Sequence, residues 1–215
     1  QAFLSRPEAA DRRTDILLAL SGLYSAKTAY VAVHRPEELA ATRELARKTI
    51  GDGLALTPPD VRFMLAGVDL DLQDVDQSAA QSDQLPKLQA AEARLRQGIA
   101  ELVAARSATK TGDPEDDWTT PSNKPDLQSL EVQARFGLTN LLLSQLVLAD
   151  AGALTTLQSA LQKETEALQQ AGGSKVLLDY VEVRRLMFQR EFTKARKIGV
   201  RLLDEVKSVP GLVRP

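Results

Sequence analysis

The sequence from Asp179 to Val206, DYVEVRRLMFQREFTKARKIGVRLLDEV, predicts two helices that meet at a charged bend. Apolar side chains return every three or four places in both halves, as at Phe192, Ala195 and Leu202 in the second. Charged side chains such as Lys194 lie on the opposite face of this helix, which is typical of an amphipathic helix. The end of the chain is therefore expected to be a helical hairpin.

The same period recurs along the rest of the chain and predicts further helices joined by short turns. They are expected to begin near Thr14, Pro36, Pro58, Pro86 (residues 86–107), Asp126 (to about Ala149) and Ala151. No run alternates as a β-strand does. The sequence thus predicts an all-α fold, an irregular array of antiparallel helical hairpins. An irregular helical bundle is the alternative.

The helical pattern stops in the segment SATKTGDPEDDWTTPSNKPD, residues 107–126, which contains three prolines. A long loop or a domain boundary is expected there. A chain of 215 residues suits one well-buried core. We therefore predict a single all-helical domain over residues 1–215, with an internal boundary at 107–126 as the alternative.

Small and aromatic residues in the last hairpin follow a known repeat pattern. Phe192 stands one turn before Ala195, Gly199 follows one turn on, and then come Leu202 and Pro210. With this pattern the hairpin resembles a tetratricopeptide repeat (TPR), over about one repeat, residues 176–210. The resemblance implies stacked hairpins, whose small residues let helices approach closely, and a groove that binds a protein partner.

Composition excludes several classes of function. The chain has no cysteine, which removes disulfides, thiolate nucleophiles and thiolate metal sites. Its net charge of −2 argues against nucleic-acid binding as the main role, and nucleic-acid binding through the last hairpin is the third hypothesis. The charge is segregated, because residues 175–215 hold ten Lys and Arg against five Asp and Glu, whereas residues 60–126 hold seven against thirteen. A self-associating bundle held by these opposite regions is therefore a second hypothesis.

No run approaches the roughly 18 consecutive apolar residues of a membrane span, and no span is predicted. The chain begins at Gln1, which fits a processed export signal or a trimmed domain, and export is the favoured interpretation.

The residues with catalytic or metal-binding chemistry form no recognisable site. His34 is the only histidine and is expected to be exposed or capping in a bend. Asp69, Asp71 and Asp74 suggest a calcium loop, but an EF-hand needs Gly where Asp74 stands and Glu where Ala80 stands. We expect a solvated acidic helix face, no metal, no cofactor and no enzymatic activity.

The leading hypothesis is a non-catalytic protein–protein interaction or scaffold module. Tyr180, Arg184 and Met187 are the candidate groove residues of the last hairpin. Trp118, the lone tryptophan, is predicted to insert into the core or to anchor an interface. The basic set of the last hairpin, Arg184 to Arg201, is expected to face solvent or an acidic protein rather than nucleic acid, because stacking aromatics are not interleaved with it.

Overall fold

The computed structural model describes residues 12–56, 60–75, 81–110 and 126–207. Within these ranges it contains eight α-helices, one short 3-10 turn at Pro36–Glu38 and no strand, so the predicted all-α class is confirmed. The helices are α1 (Arg13–His34), α2 (Leu39–Leu54), α3 (Val61–Val75), α4 (Gln81–Lys110), α5 (Leu127–Leu148), α6 (Ala151–Gln170), α7 (Lys175–Phe188) and α8 (Phe192–Lys207).

The chain divides into two compact units, Gln1–Ala79 and Ala80–Pro215. Unit 1 contains α1 to α3, and unit 2 contains α4 to α8. The segment 107–126, where the sequence allows a boundary, lies inside unit 2 between α4 and α5, which pack against each other. That residues 1–215 form a single all-helical domain stays a prediction.

Unit 1 is built around a small apolar core to which all three helices contribute. The core residues are Leu17, Ala46, Ile50, Phe63 and Leu70. Phe63 is fully buried and lies against Gly53, where the absence of a Cβ lets the ring sit directly on the α2 backbone. Because α3 contacts both α1 and α2, its buried sector is wide.

The predicted inner face of α3 was wrong in part. The sequence period places Val61, Met64, Leu65, Val68, Leu72 and Val75 inward. In the structure Phe63 and Leu70 are buried together with Val61 and Val68, whereas Met64 and Leu65 are only half-buried. A helix that touches two neighbours buries two overlapping faces, and a single stripe describes only one of them.

Helix α1 is long and apolar enough, by length and composition alone, to cross a membrane: an 18-residue window has a mean hydropathy of 1.5. Core helices of soluble proteins and signal sequences meet the same criterion. Leu17 and Val31 of α1 are buried, whereas Leu23, Tyr30 and Val33 are exposed. The absence of a membrane span therefore stays a prediction.

Unit 2 is organised around α5, which packs against α4, α6 and α7. The sequence puts apolar residues on a wide face of this helix, which predicts a central helix covered on two sides, and Ala134, Leu138, Leu141 and Leu142 are all buried. Side-chain caps set the helix starts in this unit. Asp126 accepts from the Gln128 N–H at 3.1 Å, Asp150 from Ala153 at 3.0 Å and Ser174 from Leu177 at 3.4 Å.

Helix α4 begins earlier and ends later than the predicted range of residues 86–107. Pro86 lies inside the helix rather than at its start, because its fixed φ suits a helix and only one backbone hydrogen bond is lost near the N-terminal end. At the other end the Ser107 hydroxyl donates to the Val103 carbonyl at 2.8 Å. A helix end that is exposed to solvent needs no apolar period. The first part of the predicted loop, residues 107–110, is therefore helical although its sequence shows no such period.

Candidate functional site

The last helix, α8, has a wider apolar face than its neighbour can cover. Within the described part of the chain, α8 packs against α7 alone. Ala195 points into that contact and is buried, and Ile198 and Leu202 are half-buried. Phe192 and Leu203, which belong to the same stripe, remain about 60% exposed (58% and 60%). The outer half of the stripe is therefore open to solvent.

The exposed half of α8 and the facing side of α7 line an open apolar groove of about 490 Å³, called the α7–α8 groove below. The α8 residues follow the spacing i, i+3, i+4, i+7, i+8, i+10 and i+11, and the α7 residues follow i, i+3 and i+7. The groove is lined by Tyr180, Val183, Met187, Phe192, Ala195, Arg196, Gly199, Val200, Leu202 and Leu203. Large exposed apolar side chains converge here, which is the usual mark of an interaction surface.

Gly199 leaves space in the middle of this groove. A Cβ built at Gly199 meets no atom within 4 Å, so nothing in the hairpin itself requires a glycine there. The TPR resemblance implies that this small residue lets two helices approach closely. Here Gly199 is half-buried beside α7, and the space above it is unfilled.

A tight turn sets the angle at which α8 leaves α7. The Glu191 N–H donates to the Leu186 carbonyl at 2.9 Å, and the Arg190 N–H donates to the Met187 carbonyl at 3.1 Å. This pattern requires a left-handed residue after the helix end, and Arg190 adopts it with φ of 62°. Glycine adopts this conformation at lower cost than arginine does.

The predicted groove residues have separate positions. Tyr180 and Met187 line the α7–α8 groove and are 41% and 52% exposed. The Tyr180 ring also packs on Phe136 of α5, with ring centroids 5.7 Å apart. Arg184 does not line the groove, because its Nη1 donates to Asn140 Oδ1 of α5 at 3.1 Å. Trp118 lies outside the described residues, and its role stays a prediction.

Sequence reasoning missed the α8 side of the groove. The sequence period puts Phe192 and Leu203 on the apolar stripe of the last helix and does not single out Val200. The available signal was the width of the stripe, since a helix packed on one neighbour can bury only part of it.

The charge around the groove is positive. Arg196 is the single charged residue of the lining. Four cations of the hairpin already have acidic partners: Lys175 and Arg201 contact Asp179, Arg185 contacts Glu182, and Lys194 contacts Glu191. Arg196 has no carboxylate partner among the residues that the structure describes.

A second concavity of about 650 Å³ lies between α6 and α7 and has polar walls. Gln158, Gln162, Gln169, Glu182 and Arg185 belong to its lining. Arg185 donates to both carboxylate oxygens of Glu182 at 2.7 Å, and these bonds raise the pKa of its guanidinium against the opposing effect of burial. Arg185 and Glu182 thus satisfy each other, and the Gln162 amide donates to Glu166, the other carboxylate of the lining, at 3.1 Å.

The remaining candidates for chemistry lie in unit 1. His34 is exposed at the end of α1, and its ring packs against Tyr30 with centroids 4.5 Å apart. Asp69 and Asp71 lie within α3, so the acidic segment is helical there and not a calcium loop. Across the described ranges no three His, Asp or Glu side chains group to hold a metal ion. The absence of a metal and of enzymatic activity stays a prediction.

No protein-family model, no curated protein and no solved structure matches this chain.

Proposed function

We propose that this chain is a non-catalytic protein-interaction module and that the α7–α8 groove receives a helix or peptide from a partner protein. The observation that carries the proposal is the convergence of Tyr180, Met187, Phe192, Val200 and Leu203 on one open groove, each 41% to 60% exposed. Apolar side chains exposed together at this density favour an interface.

The packing order of unit 2 supports a TPR-like array as its framework. Helix α5 packs against α6 and also against α7, and α7 packs against α8. Helix α5, as the first helix of its pair, then contacts both its own partner and the first helix of the next pair, as in stacked helical repeats. The α7–α8 groove lies on the second of these two pairs.

The distribution of charge favours a protein partner over nucleic acid. Four of the hairpin cations are paired with carboxylates within the molecule, which reduces the charge available to phosphates. Most of the apolar side chains that line the groove are aliphatic, and Tyr180 and Phe192 are the aromatic residues of the lining. Stacking on nucleic-acid bases depends on aromatic side chains interleaved with cations, and apolar anchoring of a protein does not.

The test is a selection of binders from a displayed library of peptides, followed by affinity measurement on groove variants. Leu203→Glu places a charge in the groove wall, and Gly199→Leu puts a large side chain at its centre, where the added Cβ meets no atom within 4 Å. We expect both variants to weaken binding of the selected peptides by more than roughly tenfold, the effect of losing an anchor residue.

Val147→Glu is the matched control, because Val147 of α5 is 62% exposed, as Leu203 is at 60%, and does not line the groove. It should bind as the wild-type chain does. Circular dichroism checks that all three variants keep their helix content. A library that yields no binder, or binders that tolerate Leu203→Glu and Gly199→Leu, contradicts the proposal.

A further inference from the structure

We infer that the occupant of the α7–α8 groove is an acidic amphipathic helix of a partner protein. The inference rests on the proposed function and adds the chemistry of the partner. Three features carry it: the shape and polarity of the groove, the charge in its wall, and the strained arginine at its end.

The groove suits a helix better than an extended strand. Its α8 wall runs from Phe192 to Leu203, about 16 Å or three turns of helix. Only the Tyr180 hydroxyl and the Arg196 guanidinium offer side-chain polar atoms along the lining. An extended peptide would bury backbone N–H and C=O groups without partners, whereas a helix satisfies its own backbone and presents apolar anchors at i, i+3, i+4 and i+7. The space above Gly199 admits the close approach of such a helix.

The groove selects for negative charge. Its lining contains one charge, Arg196, and no carboxylate. Arg196 is exposed and lacks a carboxylate partner within the described ranges, so it is available to a ligand. Lys197 beside it is also exposed. An acidic side chain placed next to the apolar anchors would pair with Arg196 as the helix docks, which favours acidic helices over neutral or basic ones.

Arg190 adds a second cation where the backbone favours glycine. It lies in the turn between Met187 and Phe192, both of which line the groove, and its side chain is exposed. Strained non-glycine residues cluster at ligand-binding sites, and the exposed side chain of Arg190 places its charge at the end of the groove, where it attracts the same acidic partner.

A second copy of this chain is a poorer occupant. In a two-fold contact through this groove, each Arg196 would face a lining that contains Arg196 and no carboxylate. Like charges brought together in an apolar interface oppose association. A partner with the opposite charge removes this cost.

The experiment uses the full chain and a displayed library of 18-residue peptides whose positions are randomised among apolar, acidic, basic and neutral residues. We expect the selected peptides to combine an apolar stripe of helical spacing with Asp or Glu beside it. A proline placed in the centre of a selected peptide should abolish binding, because it interrupts the helix.

A charge swap then tests Arg196 directly. Arg196→Glu should weaken binding of an acidic peptide by roughly tenfold or more, and a peptide with Lys in place of its acid should recover the affinity for this variant. Lys163→Glu in α6 is the matched charge reversal, since Lys163 is exposed and does not line the groove. It should leave the dissociation constant within about twofold.

The outcomes separate the inference from the proposed function. Binders that are sensitive to Leu203→Glu but lack acidic residues, or that ignore Arg196→Glu, overturn the acidic helix and leave the interaction module standing. Binders that tolerate a central proline overturn the helix in the same way. A wild-type dimer in light scattering that Leu203→Glu dissociates assigns the groove to a second copy and overturns the inference. Absence of any groove-dependent binding removes both.

Discussion

Arg135 of α5 donates a hydrogen bond from Nη1 to Oε1 of Glu164 in α6, at 2.8 Å, where Glu164 is buried and the Arg135 side chain is 15% exposed. Its Nε also donates to Glu131 at 2.9 Å, and Arg106 of α4 donates to the second oxygen of Glu131 at 2.7 Å. Burial lowers the pKa of Arg135, but its bonds to the two carboxylates outweigh burial and raise it. Two cations and two carboxylates thus join α4, α5 and α6.

Removal of Arg135 should destabilise unit 2 strongly. Arg135→Met leaves Glu131 and Glu164 buried with fewer partners, and breaking a buried pair in this way costs about 3–5 kcal/mol. Urea unfolding followed by circular dichroism measures the loss. Arg96→Met is the control, because its pair with Glu92 is half exposed and should be worth less than about 1 kcal/mol. Equal losses in the two variants would contradict a stabilising role for the network.

The extent to which the fold follows from sequence can be traced through particular helices. Helix α5 was predictable because an apolar face that wide can only belong to a helix covered on several sides, and Asp126 marked its start. The i, i+4 spacing of Glu131 and Arg135 allows their pair on α5, but the extension of this pair to Glu164 of α6 was not predictable, because it forms only when α5 meets α6. Periodicity specifies faces of helices, whereas partners across helices depend on the packing geometry.

Substitutions of two glycines in α2 should have opposite effects. In Gly53→Ala the new Cβ overlaps the buried Phe63 ring, and such overpacking costs about 1–3 kcal/mol. In Gly51→Ala the Cβ meets nothing within 4 Å, so the lower backbone entropy of alanine should stabilise the helix by about 0.5–1 kcal/mol. Thermal unfolding of the two variants provides the comparison. A stabilised Gly53→Ala variant would show that α3 does not sit against α2 in this way.

Replacement of Arg190 by glycine should separate stability from binding. Arg190→Gly removes a left-handed arginine and should stabilise the chain by about 0.5–1 kcal/mol, since part of the gain is lost to the greater freedom of glycine in the unfolded state. The neighbouring Gln189 has an ordinary helical φ of −74°, so Gln189→Gly should destabilise the chain by about 0.5–1 kcal/mol. If Arg190→Gly also weakens binding of acidic peptides, the arginine is retained for recognition. An Arg190→Gly variant that is less stable than wild type would contradict the claim that the left-handed conformation of Arg190 costs stability.

The groove was predictable only in part, for a reason that Tyr180 and Arg184 illustrate. Both residues lie on α7 one turn apart, and the sequence assigns both to one surface. In the structure Tyr180 lines the groove, whereas Arg184 turns to Asn140 of α5. On a helix that is packed on one side and open on the other, two residues one turn apart can lie at opposite edges of the open side. One of them then lines the groove while the other contacts the adjacent helix. Which of them remains open depends on the position of the adjacent helix, which the period of a single helix does not contain.

Acid should remove a contribution that Asp60 makes to unit 1. Asp60 precedes α3 and accepts from the Arg62 backbone N–H at 2.9 Å and from the Arg62 Nε at 3.0 Å. Burial raises the pKa of Asp60, but the hydrogen bonds and charge of Arg62 outweigh it and hold the pKa below its usual 3.8. A carboxylate with a lowered folded pKa stabilises the fold above its unfolded pKa, and this stabilisation is lost as the pH falls through the folded value.

Asp60→Asn should therefore be less stable than wild type at pH 6, and the difference should shrink below about pH 4. Urea unfolding at a series of pH values measures it, with Arg62→Met expected to weaken the same dependence. A difference that stays constant down to pH 2 would show that the charge of Asp60 contributes nothing to the start of α3.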